Sequence, residues 1–162
     1  MKKSTLDNIK IYFVTDNQIG SILLRYWMWS PYSHCAIGYK DKVISATFYH
    51  GVILEDLDVF LSRYKAKNIK VCRVDNLDVQ KAWQFGLEQV GKPYDLKSII
   101  GFLIKRSWVD TNAWQCSELA TAMIFNGGVT LIRKEAYRVT PADLLNNILV
   151  IPEDKTDAKD IL

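Results

Sequence analysis

Residues 8 to 14, NIKIYFV, alternate polar and apolar and are rich in β-branched and aromatic types, so the pattern predicts a strand. Thr15, Asp16 and Asn17 follow as turn and cap residues. Ile19, Ile22, Leu23, Tyr26 and Trp27 then recur at helical spacing, giving an amphipathic helix of about three turns that SPYS breaks. HCAIGY (34–39) reads as a strand, Lys40-Asp41 as a tight turn and KVISATF as the hairpin partner. GVILEDL is a further strand or edge, DVFLSRY (58–64) a short helix and NIKVCRV (68–74) a strand. Asp78 caps a helix with Val79, Ala82, Trp83, Gly86, Leu87 and Val90 on one face, closed by Gly91 and Pro93. Residues 94–114 carry a helical pattern around Ile99 to Ile104, then loop. Cys116 to Asn126 is a second clear helix, stopped by Gly127-Gly128. VTLIR is a candidate strand, TPADLL (140–145) a helix start with Pro in its first turn, and PEDKTDAKDIL a polar, loose tail. With no internal repeat and no linker, the pattern is α+β, an antiparallel sheet packed with helices. It predicts one domain over residues 1–152 and a flexible tail over 153–162.

Composition narrows the class. Of 162 residues, 49% are hydrophobic and 24% charged, which is globular composition and excludes a disordered chain. The net charge is +3, with the two signs interspersed, so no basic arm points to specific nucleic-acid binding. After Lys2 and Lys3, Asp7, Asn8 and Lys10 interrupt any apolar signal-peptide core. The longest apolar run, Ile99 to Ile104, is far too short to span a bilayer. The expectation is a protein that is cytoplasmic as synthesised. Three widely spaced cysteines make neither a disulfide framework nor a zinc module, so each is expected to be a free thiol.

The chemistry concentrates in NAWQCSELA, residues 112–120, where Cys116 opens a helix. Unpaired backbone N–H groups and the helix dipole favour negative charge at that end, which lowers a thiol pKa. The same N–H groups suit an oxyanion. Glu118, one turn in, complements the dipole. The competing reading is a small buried hydrophobe. A nucleophilic thiol needs a base, and the chain has two histidines. His34 opens a strand directly after a loop and is the preferred base. His50 lies in a turn, where histidines are usually solvated. Alternation on the strand sends Cys35 to the face opposite His34, into packing, which argues against a His34/Cys35 metal pair. Cys72 reads as sheet core. With no CxxC or HxxxH spacing, neither a zinc site nor any other cofactor is expected.

Five motifs in order resemble one family. They are YSHCAIGY, VISATFYHGVILEDLDVFL, GKPYD, WQCSEL and VTPADLL, together covering roughly residues 9 to 150. They resemble the permuted papain-like amidohydrolases of the NlpC superfamily, of the YiiX-like kind, with lecithin:retinol acyltransferase-like proteins as more distant relatives. In ordinary papain-like enzymes the cysteine helix precedes the histidine strand; here the order is reversed, as in the permuted branch. The resemblance implies a circularly permuted papain-like fold, Cys116 as nucleophile, His34 as base and Tyr94 of GKPYD beside the site, donating to the oxyanion or orienting substrate. Trp114 and Gln115 would line the cleft or simply pack.

The third catalytic position departs from the family, which often has Glu there. Here the place belongs to Ser45, which offers an imidazole one neutral hydrogen bond and no charge stabilisation. If Lys40-Asp41 is a two-residue turn, Thr47 lies opposite His34 and Ser45 diagonally off, so Thr47 is the alternative. The reading is a cysteine amidohydrolase acting on a small peptide or amide, with a bacterial or phage cell-wall peptide implied by the resemblance alone. Two rivals stand beside it. One uses the same dyad on the acyl chain of a lipid, with LLRYWMW and SIIGFLI as a lipid-facing surface. The other is a binding module with a degenerate site. Oligomeric state is not legible.

Overall fold

A computed structural model describes residues 8–15, 22, 25–26, 30–95, 112–133, 138–147 and 149–153. Six strands form one antiparallel sheet: β1 (Lys10–Val14), β2 (His34–Tyr39), β3 (Lys42–Thr47), β4 (Gly51–Asp56), β5 (Ile69–Val74) and β6 (Val150–Pro152), in the order β4-β3-β2-β1-β5-β6. The helices are α1 (Leu57–Ser62), α2 (Val79–Gln89), α3 (Cys116–Asn126) and α4 (Pro141–Leu145), with a 3-10 turn at Ala66–Asn68.

The alternation in KIYFV becomes a two-sided core. Ile11 and Phe13 enter the layer shared with Ala82 of α2, Leu119 and Met123 of α3 and Leu144 of α4. Tyr12 and Val14 enter the opposite layer with Leu57 and Phe60 of α1. A sheet covered on both faces needs apolar residues at both parities of its central strand, and β1 supplies them. The cap expected at Asp78 and the helix start expected at TPADLL are both present. The Asp78 side chain accepts from the Lys81 N–H at 3.1 Å, and Thr140 and Asp143 form a capping box with Pro141 in the first turn of α4.

Several expectations change. VTLIR is no strand: residues 129–133 run irregularly, and the Val129 N–H closes the end of α3 on the Ile124 carbonyl. The last strand comes instead from Val150–Pro152, three residues whose pattern is too short to register as β. The tail expected from 153 onward is tied down at its start. The Glu153 N–H donates to the Val71 carbonyl, and its carboxylate pairs with Lys10 Nζ at 3.0 Å. Of the face assigned to α2, Ala82 and Gly86 are buried, whereas Leu87 is exposed and Val90, also exposed, is the C-cap beyond the last helical residue; Gln89 is buried as well. Of the helix expected over 19–27, Ile22, Arg25 and Tyr26 are helical; its remainder, and the helical pattern at 99–104, lie outside the described residues.

Gly51 is conformationally required. It has φ +67°, and a Cβ there would run into the Lys92 carbonyl, against which β4 is pinned by the Val52 N–H at 2.8 Å. Gly51→Ala is expected to cost about 1–3 kcal/mol from the left-handed backbone alone, with the collision adding to it. Urea denaturation checks this; a variant as stable as the parent contradicts the account.

Candidate active site

Cys116 is the first residue of α3. Gln115 before it is extended (φ −92°, ψ 163°), and the first α-helical bond runs from the Leu119 N–H to the Gln115 carbonyl at 3.0 Å. The N–H groups of Cys116 and Ser117 therefore have no carbonyl behind them in the helix. Three ties hold this end in place. Glu118 accepts from the Gln115 N–H at 3.4 Å, and Ser117 Oγ donates to the Val139 carbonyl at 2.5 Å. Thr121 Oγ1 donates to the Ser117 carbonyl at 2.7 Å.

α3 packs on the start of β2, and the Cys116 sulfur meets two residues there. The Cys35 thiol hydrogen-bonds to it, and the His34 imidazole does so as well. These hold the Cys116 thiol well below its ordinary range. The Cys35 hydrogen bond is the largest influence, burial opposes it, and the His34 hydrogen bond and charge with the Cys35 N–H add to the lowering. Cys35 moves the other way. Its bond to Cys116, its complete burial and the Cys116 charge push its pKa well up. Of the two coupled thiols, Cys116 is the one to carry the charge, because it alone sits on a helix N-terminus.

The sequence nominated Cys116 and His34 as nucleophile and base, without their distance, and did not foresee the part of Cys35. Alternation does send Cys35 into packing, away from the face of Ala36. That packing layer is the one α3 occupies. His34 is the terminal residue of β2, beyond the last rung of the β2–β3 ladder, so its side chain also reaches the sulfur. The signal for Cys35 was present in its parity, but a sequence does not say which sheet face receives α3.

Tyr94 is brought to the site by a short parallel bridge to Trp114. The Trp114 N–H donates to the Pro93 carbonyl at 3.0 Å, and the Asp95 N–H donates to the Trp114 carbonyl at 3.1 Å. Burial, then the charges of Cys116, Cys35 and Asp95, raise the Tyr94 pKa well above its usual value, so it remains a protonated donor. Its ring packs on Phe48 with centroids 5.9 Å apart. Trp114 is half-buried, its indole N–H held by Gln89 Oε1 at 3.1 Å and its ring edge-on to Phe85, so packing describes it better than cleft lining. His50 is exposed in the 48–50 turn, as expected.

The third position fares differently. The two-residue turn is present, with Tyr39 opposite Lys42, but the ladder ends at Ile37–Ile44. Thr47 therefore never becomes the ladder neighbour of His34, and its hydroxyl donates to the Gly51 carbonyl at 3.2 Å instead. Ser45 sits between Ile44 and Ala46, whose side chains enter the α3 layer, so alternation turns its own toward the α1 side. It is buried, and its hydroxyl has no hydrogen-bond partner among the described residues. Neither hydroxyl bonds the imidazole among the described residues.

The chain superposes on the crystal structure of the metalloprotein YiiX from Escherichia coli O157:H7 with a TM-score of 0.70, at 17% identity, over 91% of this chain and 96% of that one. The fold is YiiX-like. No family model and no curated protein matches the chain. Within the YiiX-like fold, no helix among the described residues is long and apolar enough to cross a membrane.

The helix start also carries a buried acid. Burial, with the nearby Asp95 charge adding and the Gln115 N–H opposing, lifts Glu118 from 4.5 to about 7. At neutral pH it is therefore only partly ionised and complements the dipole less than the sequence suggests. Because the folded pKa lies above the unfolded one, the folded chain binds this proton more tightly. The resulting stability is complete below about 4.5 and is lost as pH rises through about 7. Its ceiling is about 3 kcal/mol, reduced by the solvent that reaches the carboxyl. Stability measured by urea melts is expected to fall between those pH values, and Glu118→Gln is expected to flatten that fall; an unchanged slope in the variant contradicts the assignment.

Proposed function

We propose that the protein is a cysteine hydrolase of the amidase or peptidase type, with a papain-like, circularly permuted arrangement. The observation that carries this reading is the Cys116 sulfur at the first turn of α3, in contact with the His34 imidazole and held toward its thiolate form. His34 takes the Cys116 proton. The thiolate attacks an amide carbonyl, a C–S bond forms, and the oxyanion is received by the N–H groups at the start of α3 with Tyr94 as a further donor. Collapse breaks the C–N bond, and the imidazolium protonates the leaving amine. Water, giving a proton to the same imidazole, then attacks the thioester. The C–S bond breaks, and an acid and the thiolate result.

The substrate class is a small peptide or amide, and a cell-wall peptide follows from the family resemblance alone. The Ser45 hydroxyl, without a hydrogen-bond partner among the described residues, supports a site in which position 45 does not stabilise the imidazolium as a carboxylate would. The lipid-acyl alternative draws on LLRYWMW and SIIGFLI, which lie largely outside the described residues. YiiX is titled a metalloprotein. Among the described residues, no group of three or more His, Cys, Asp or Glu side chains is placed to hold a metal ion, and the proposed chemistry runs through the thiol.

The test is iodoacetamide labelling across pH, read by mass spectrometry on each cysteine. Cys116 is expected to label well below pH 7, and His34→Ala is expected to slow it by about tenfold or more, one pKa unit being a factor of ten in thiolate population. Cys72, which burial raises to about 11, serves as the inert control. Cys116 labelling no faster than Cys72, and indifferent to His34→Ala, removes the enzyme reading and leaves a scaffold for binding.

A further inference from the structure

We infer that Cys35 and Cys116 form a reversible oxidation site, in which a peroxide oxidises the outer sulfur and the inner thiol closes it as an intrachain disulfide. The inference deepens the proposed function and rests on its reading of Cys116 as a reactive thiolate.

The two sulfurs differ in access while remaining in contact. Cys116 is 7% exposed at the open end of α3, whereas Cys35 is 0% exposed on the inner face of β2 beneath it. Both are buried, but Cys116 keeps a small solvent-facing surface that Cys35 lacks. Both belong to one packed cluster, carried on a helix and a central strand, and their side chains are already hydrogen-bonded. A disulfide brings two such sulfurs to ~2.05 Å. No separate resolving loop has to fold over the site.

The chemistry balances with a hydroperoxide as the oxidant. The Cys116 thiolate attacks one peroxide oxygen, the O–O bond breaks, and the departing hydroxide takes a proton to become water. Cys116 is oxidised by two electrons to the sulfenic acid and the peroxide is reduced. The Cys35 sulfur then attacks the sulfenic sulfur. The S–S bond forms, the S–O bond breaks, and the hydroxide leaves as water with the Cys35 proton. A dithiol reductant restores both thiols. The order of events follows from the coupling. The Cys116 charge and hydrogen bond hold Cys35 protonated, and oxidation of Cys116 removes that charge. Cys35 is thus silent until its partner has reacted. The disulfide would block hydrolysis while sparing Cys116 from the irreversible sulfinic and sulfonic states.

The experiment treats the full chain with hydrogen peroxide, blocks free thiols with iodoacetamide and maps the peptides by mass spectrometry before and after dithiothreitol. The expected result is a linked Cys35–Cys116 peptide lighter by two hydrogens, with Cys116 labelling lost and then restored by the reductant. In Cys35→Ser and Cys35→Ala the expected result is Cys116 in the sulfinic and sulfonic forms, with labelling not restored. Wild type that overoxidises irreversibly as those variants do overturns the inference. Should the variants fail to fold, diamide on wild type decides alone, since it forms the same disulfide or does not. Labelling of untreated Cys116 separates the two readings. Fast labelling below pH 7 without a disulfide overturns the inference and leaves the hydrolase standing. Slow labelling with a disulfide under diamide shows the two sulfurs within bonding reach but removes the reactive thiolate, and with it the hydrolase and the peroxide step. Slow labelling with no disulfide removes both.

Discussion

The packing of α3 against the start of β2 is the contact on which the rest of the arrangement depends. α3 is nearly encased: eight of its eleven residues are buried, and three of those, Ser117, Glu118 and Thr121, are polar. A helix with that many buried polar groups has few acceptable positions, because each group must keep its partner. Ser117 finds the Val139 carbonyl, Thr121 the Ser117 carbonyl and Glu118 the Gln115 N–H. The Thr121 and Glu118 bonds close within the helix and its cap, so it is the Ser117–Val139 bond that sliding or rotating the helix breaks, leaving a buried hydroxyl unpaired. The position of the Cys116 sulfur over Cys35 and beside His34 is a consequence of that fit.

Around this seat the acids and thiols sort by environment. Cys116 and Cys35 are chemically identical, yet their shared hydrogen bond lowers the pKa of the first, with His34 adding to it against burial, and raises that of the second, with burial and the Cys116 charge adding to it. Cys72 has burial without a hydrogen-bonding thiol partner and simply rises. Glu118 shows the limit of the dipole as an argument. A carboxyl in the first turn is well placed, but burial and the Asp95 charge outweigh that placement. A buried acid held partly protonated beside a thiolate also limits the negative charge gathered at one helix end.

The second support of the site is the seam between β4 and the turn after α2. Gly51 and Val52 lie against Lys92, and Gln89 holds both the Lys92 ammonium at 2.7 Å and the Trp114 indole at 3.1 Å. This seam carries the backbone to Tyr94 and onward through the Trp114 bridge to the N-cap of α3. GKPYD and WQCSEL, separate in sequence, are thereby neighbours. The exposed Phe48 and Tyr49 stand at its rim, with Phe48 in contact with Tyr94.

The sequence by itself determined the local elements. Strands β1 to β5, the caps at Asp78 and Thr140, the glycine stop after Asn126 and the helix opening at Cys116 are all set by residues close to one another in the chain. It also narrowed the site to one thiol and two imidazoles, because so few nucleophiles and bases were available. What depended on distant chain segments was not legible. β6 is three residues long and is a strand only because β5 offers an edge. Leu87 keeps helical spacing on α2 but is exposed, and Val90 falls just past the helix, while Ala82, Gly86 and Gln89 make the packed face. Thr47 was placed beside His34 by counting rungs, yet the ladder stops at Ile37, and no local pattern records where two strands part. The role of Cys35 was hidden for the same reason. Alternation fixes which face of β2 it occupies, and only the tertiary structure decided that α3 would lie on that face, because the choice is made by burial of the whole helix and not by any residue near Cys35.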